Sequence, residues 1–267
     1  MTKPTAFIYR GIITMFSYRT AMVLQILSMF ISTASFYFLA KLVGFQENNP
    51  YLAQYGGNYM VFLIIGIIFQ SFVSVSQSSF SQTIRNEQYM GTLESLLLSR
   101  TPLYQILTYS SLWTFIFTVI NTGVILAIAV VVFKVELNIN LLASTIILFL
   151  SIVSLAGIGM ISAGVIMVTK QGDPISWFIS IISAFLSGVY YPIEVLPKFL
   201  KGLALLLPNT HALIALRQTL INHYSIWQVK DQIIILLVFA FITIPLGIIA
   251  FRKGFDRARK EGTLSYY

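Results

Sequence analysis

Long runs of uncharged, apolar residues recur along this chain, and they restrict its fold more than any other feature. A bilayer core about 30 Å thick is crossed by roughly 20 residues in helical form. Six stretches reach or nearly reach that length: residues 20–40, 58–80, 106–133, 141–168, 175–190 and 233–251. Backbone polar groups in lipid must be satisfied within the chain, so unbroken runs of this kind read as helices. The expectation is an all-α integral membrane fold of six transmembrane helices in one domain, residues 1–267. Composition fits, with 57% hydrophobic and 10% charged residues against about 45–50% and about 25% in soluble domains.

The net charge of +8 does not mark a nucleic-acid binder, because the basic residues are strung out between apolar runs rather than gathered on one face. They serve instead as topology signals. Lys3, Arg10, Arg19, Arg85, Arg100, Lys170 and the five basic residues from Arg252 to Lys260 fall on one side of a six-span chain. Lys41, Lys134, Lys198, Lys201, Arg217 and Lys230 fall on the other. The larger set predicts that both termini are cytoplasmic. No secretory signal precedes the first span, which is expected to be retained. Cysteine is absent, which excludes disulfides and thiolate metal sites.

Two stretches outside the spans carry information. Within residues 1–19, Ile8, Ile12, Met15 and Phe16 recur at helical spacing among Lys3, Arg10 and Arg19, as in an amphipathic helix lying on the lipid surface. An irregular basic tail is the alternative. Residues 191–208 are apolar but broken by Pro192, Pro197 and Pro208 and carry Glu194. A re-entrant hairpin containing Tyr191, Pro192, Glu194 and Pro197 keeps the basic C-terminal tail on its own side; a plain loop is the other reading.

The six spans as drawn hold no Asp, Glu, Lys, Arg or His, so a proton relay has no obvious members. There is no glycine-rich phosphate loop ending in Gly-Lys-Ser/Thr and no His-Glu-x-x-His pair, and His211 and His223 lie outside the spans. Catalysis, a bound metal and nucleotide binding by this chain are therefore not expected. What the spans do contain is stripes of neutral polar residues at steps of three and four. Gln25, Ser28, Ser32 and Ser35 mark the first, Gln70, Ser74, Gln77 and Ser81 the second, and Ser176, Ser180, Ser183 and Ser187 the fifth. The third carries Ser111, Thr114, Thr118 and Asn121. Such faces suit close helix packing and equally a pathway for a polar or amphiphilic cargo; spacing alone leaves both open.

Between the second and third spans, residues 83–102 read as a connector with a short amphipathic helix. Thr92 is placed to cap it with Glu94 in its first turn. Arg85, Glu87 and Glu94 then face the cytoplasm, and Leu93, Leu96 and Leu97 face lipid or protein.

In this connector the chain resembles the type-2 permeases of the ABC exporter superfamily. The resemblance rests on Glu87 followed by Gly91, Thr92, Leu93, Glu94, Leu96 and Leu97, and later on Tyr191, Pro192, Leu196, Pro197, Asn209 and Arg217. It follows the family's order along nearly the whole chain, with one departure, Pro208 before Asn209 where the family often has Asn-Pro. It implies a permease that pairs as a homodimer in the cell membrane, each copy carrying a separate cytoplasmic ABC ATPase that binds ATP and Mg. Arg85, Glu87, Gly91, Thr92, Leu93, Glu94 and Leu97 would then form the coupling helix. Gln25, Ser28, Ser32, Gln70, Ser74, Gln77, Ser176, Ser180 and Ser183 would line the route for an amphiphile, drug, lipid or glycan. The rival readings are an ATPase-independent channel or ion-coupled carrier, and a membrane scaffold.

Overall fold

The computed structural model describes residues 3–44, 51–52, 55, 57–92, 95, 103–135, 140–169 and 173–261. These form nine α-helices and no strand. In chain order they are α1 (Lys3–Ser17), α2 (Arg19–Gly44), α3 (Tyr59–Tyr89), α4 (Leu103–Val131), α5 (Leu141–Thr169), α6 (Pro174–Leu186), α7 (Lys198–Leu205), α8 (Pro208–Ile221) and α9 (Lys230–Lys260). A short 3₁₀ turn, Ile193–Val195, precedes α7.

Five of these helices are long and apolar enough to cross a bilayer. They are α2, α3, α4, α5 and α9, and the chain is a multi-pass membrane protein. The fifth expected span behaves differently. Residues 175–190 are apolar throughout, but α6 ends at Leu186 and Gly188 takes a φ of +77°, a conformation that breaks a helix and suits glycine. Thirteen residues rise only about 20 Å at 1.5 Å each. After it, α7 and α8 meet at 86°, the bent geometry expected of a broken or re-entrant segment. The sequence had placed the hairpin's end at Pro208; the structure instead begins α8 there, with proline in its first turn, where a missing N–H costs nothing.

The core is organised by α3. Asn58 caps it by accepting from the amides of Met60 (3.0 Å) and Val61 (3.3 Å), and Phe62, Leu63, Phe69 and Val73 are buried. On its far side α5 is clamped between α3 and α9 by glycines. A Cβ on Gly159 would stand 2.6 Å from the Ser76 carbonyl oxygen, and one on Gly254 would stand 2.2 Å from the Gly164 carbonyl oxygen. Gly157 and Gly164 on α5 thus face Gly247 and Gly254 on α9 at matching seven-residue steps, the small-residue contact that lets membrane helices approach. Outward faces are apolar, as with Val23 on α2 and Phe241 on α9, 65% and 83% exposed. That surface matches lipid.

The N-terminal residues form the expected helix. Tyr9, Ile13 and Phe16 are exposed on α1, while Gly11 lies on the Trp113 ring of α4 so closely that a Cβ would stand 2.2 Å from it.

Candidate functional site

The polar stripes of α3 and α6 meet. Ser176 donates from Oγ to the Gln77 carbonyl (2.8 Å) and Gln70 Nε2 donates to Ser180 Oγ (3.3 Å). Gln77 is fully buried, yet neither atom of its side-chain amide has a hydrogen-bond partner, and the Oγ of buried Ser183 and Ser187 has none either. An unsatisfied buried polar group costs about 1–3 kcal/mol. A seam meant only to hold two helices together would be more stable with leucine at these places.

Each end of α6 is fastened to α3 by a charged residue. At one end, Arg217 of α8 is 2% exposed. Its guanidinium donates to the carbonyls of Gly188 (2.8 Å), Val189 (3.1 Å) and Phe62 (3.1 Å). It also stacks 3.3 Å from the Phe62 ring centroid, with the Tyr55 ring at 5.6 Å. Gly66 makes room for this arrangement, since a Cβ there would meet the Val189 oxygen at 2.3 Å. Burial, reinforced by the charge of Glu194, pushes the Tyr55 phenol up to about 12, with Arg217 pulling the other way. Tyr55 therefore stays neutral beside the guanidinium.

At the other end stands Asp173, which the sequence reading did not single out. It caps α6 by accepting from the Ser176 amide (3.0 Å), and its two oxygens also accept from the hydroxyls of Ser81 on α3 and Ser162 on α5. One carboxylate thus joins three helices. Beside it opens a cavity of about 640 Å³ between α3 and α6. Ser74, Ser78, Gln82 and Arg85 line it from α3, and Ser176, Trp177 and Ser180 line it from α6.

The other expected pathway residues lie elsewhere. Ser28 and Ser32 are exposed on α2, a helix that packs on α1, α3 and α4 rather than on α6. Gln25 lines an apolar groove of about 380 Å³ with Tyr18, Trp113 and Asn121. On α4, Thr118 bonds back to its own helix at the Thr114 carbonyl (2.8 Å).

The connector residues are placed in part. Thr83 to Tyr89 continue α3 by two turns, so Arg85 and Glu87 stand on that long helix instead of on a separate one. Arg85 reaches Tyr89 one turn on (3.4 Å). Glu87 is buried, not cytoplasm-facing; it accepts from Arg10 of α1 (3.4 Å) and from the Thr92 hydroxyl. Gly91, at φ +65°, ends α3. Its amide bonds to Gln88 (3.0 Å) while that of Thr92 reaches back to Glu87 (2.9 Å), the two-bond glycine stop of many helices. Thr92 therefore closes the helix before it. Leu93, Glu94 and Leu97 lie outside the described residues.

In the segment after α6, the Tyr191 hydroxyl donates to the Phe185 carbonyl (2.5 Å), Pro192 is buried and Pro197 is exposed. Glu194 is half-buried, with one carboxylate oxygen unpartnered. No cluster of three or more metal-ligating side chains occurs among the described residues.

Comparison with known proteins matches residues 5–221 to the ABC-2 type transporter family. The linearmycin resistance permease protein LnrN of Bacillus subtilis (strain 168) is 29% identical over 113 residues, 42% of this chain and 29% of the relative. The aligned stretch thus spans under a third of that relative's length.

Proposed function

The chain belongs to the ABC-2 type transporter family, and from that premise we propose that it is the pathway-forming subunit of an ATP-driven exporter, working as a dimer with a separate cytoplasmic ATPase. ATP and Mg reside on that partner. The end of α3 that carries Glu87 and Thr92 then faces the cytoplasm, both termini lie on that side, and the membrane is that of the cell.

The observation that carries this reading is the seam between α3 and α6. It joins the thirteen-residue α6 to the helix that runs directly into the connector, and it keeps amides and hydroxyls unsatisfied where packing alone favours apolar residues. Force applied by an ATPase at the connector travels along α3, a rigid rod. α6 shifts against it, and the unpaired groups find partners in water or cargo. Nucleotide would then bias a two-state helix pair. The neutral seam suits an amphiphile, drug, lipid or glycan. That a relative is named a linearmycin resistance permease supports a permease role in resistance.

Co-reconstitution with the companion ATPase in liposomes tests the proposal. Glu94→Arg is expected to leave insertion intact while abolishing ATP-dependent export. Normal export by that variant sinks the coupling assignment, and cargo flux with no ATPase present establishes the channel or carrier instead.

A further inference from the structure

The cavity beside Asp173 continues into an apolar stripe, and the two together have the outline of an amphiphile. On α6, Ser176 and Ser180 face the cavity. One position on from each, Trp177 and Ile181 are exposed, followed by Phe185, at 67%, 47% and 53%. These three stand at steps of four on one face and extend about 12 Å along the helix at 1.5 Å per residue. From the exporter reading, on which this step rests, we infer that the site takes a single amphiphile with an uncharged, hydroxyl-rich head, its head in the cavity and its chain along Trp177, Ile181 and Phe185.

Charge selects the head. Among the described residues of the lining, Arg85 and Asp173 are the charged ones, and their opposite signs sum to zero. Both oxygens of Asp173 already accept from Ser81, Ser162 and the Ser176 amide, which leaves little for a cationic head. A quaternary ammonium is typically recognised by an aromatic cage, and Trp177 is the one aromatic side chain among the described lining residues. An anionic head meets one cation, Arg85, which also holds Tyr89. A neutral polyol, in contrast, meets the hydroxyls of Ser74, Ser78 and Ser180 and the amide of Gln82, which donate and accept alike. A cavity of about 640 Å³ is in the range of small-molecule sites.

The test uses the full chain in lipid nanodiscs with Trp113→Phe and Trp227→Phe, leaving Trp177 as the sole tryptophan of three. Decyl maltoside, decyltrimethylammonium and decyl sulfate are titrated below their micellar concentrations while Trp177 emission is followed. The expected result is a saturable shift with decyl maltoside at a Kd at least ten-fold below that of either charged probe. Ser74→Leu should raise that Kd ten-fold or more. So should Gln82→Leu, whose site is exposed and whose folding is secure. A non-saturating response shared by all three probes means bulk lipid only and overturns the site; so does tighter binding of a charged probe, or a Kd that neither variant moves. If Ile181→Cys cross-links two copies and the probe has no effect, a second copy covers the stripe and the inference fails. ATP hydrolysis measured after adding the ATPase reads the exporter proposal separately. Loss of that response with probe binding intact defeats the exporter reading, while the converse defeats only this site.

Discussion

At one end of α6 a guanidinium is sealed inside the protein; at the other a carboxylate sits half-exposed on the rim of a cavity. Arg217 is bound by backbone carbonyls that cannot turn away, and Gly66 brings the chain to within reach of them. Asp173 is bound largely by serine hydroxyls, rotors that can find other partners. Burying a charge costs several kcal/mol unless it is well paired; the guanidinium has three fixed carbonyls and two ring faces, with Nε alone unpartnered, so the arginine end is the more tightly held of the two. The contrast makes the Arg217 end of α6 the more rigidly held and the Asp173 end, beside the cavity, the one whose bonds can more readily be exchanged.

The sharpest way to break this contrast is to remove the arginine. Arg217→Leu leaves the Gly188 and Val189 carbonyls without that donor and the Phe62 ring without its cation; the expected loss is about 3–5 kcal/mol. Reversible unfolding in mixed detergent micelles measures it, and a loss below about 1 kcal/mol means that this end is not the more rigidly held. Arg217→Lys should recover part of the loss, because a single ammonium cannot reproduce the fork that serves three carbonyls.

Gly66→Ala attacks the same end by geometry alone. Its Cβ would sit 2.3 Å from the Val189 oxygen and 2.9 Å from an Arg217 nitrogen, an overpacking expected to cost about 1–3 kcal/mol. The same assay decides; an unchanged midpoint would mean that α3 and the hairpin have slack between them.

Asp173→Asn probes the other end and should be milder. Asparagine still offers one oxygen to the helix terminus, so about 1–2 kcal/mol is expected. The more telling readout is thiol labelling of Ser180→Cys, which should quicken in the Asp173→Asn background if that end of α6 swings. A stability loss as large as that of Arg217→Leu, with labelling unchanged, would erase the difference between the ends.

Hydropathy made the lipid-crossing helices legible because burial in a bilayer depends on composition over about 20 residues, and α2, α4, α5 and α9 need nothing more. It failed where a helix ends for backbone reasons. α3 continues past the apolar run through Thr83 and Glu87 because polar residues still make helical hydrogen bonds, and it stops at Gly91, whose φ is +65°. α6 stops short inside an apolar run because Gly188 turns left-handed. The role of Arg217 is not legible in its neighbours, because the carbonyls it donates to lie 28, 29 and 155 residues away. Asp173 was within reach: an aspartate before Pro174 is the signature of a helix cap followed by proline. Its bonds to Ser81 and Ser162 were not.

The smallest effect separates the surface helix from both ends of α6. Arg10 joins α1 to Glu87 at 3.4 Å, with side chains 56% and 8% exposed. Glu87 keeps the Thr92 hydroxyl when Arg10 is lost, so Arg10→Ala should cost less than about 1 kcal/mol and fade as salt rises. Thr92→Val removes the hydroxyl bonded to Glu87 but keeps the backbone amide that closes α3, and should cost more than Arg10→Ala in the same unfolding assay. If the order reverses, the ion pair to α1, not the Thr92 hydroxyl, is what chiefly holds Glu87 in place, and the end of α3 would have to be treated together with α1.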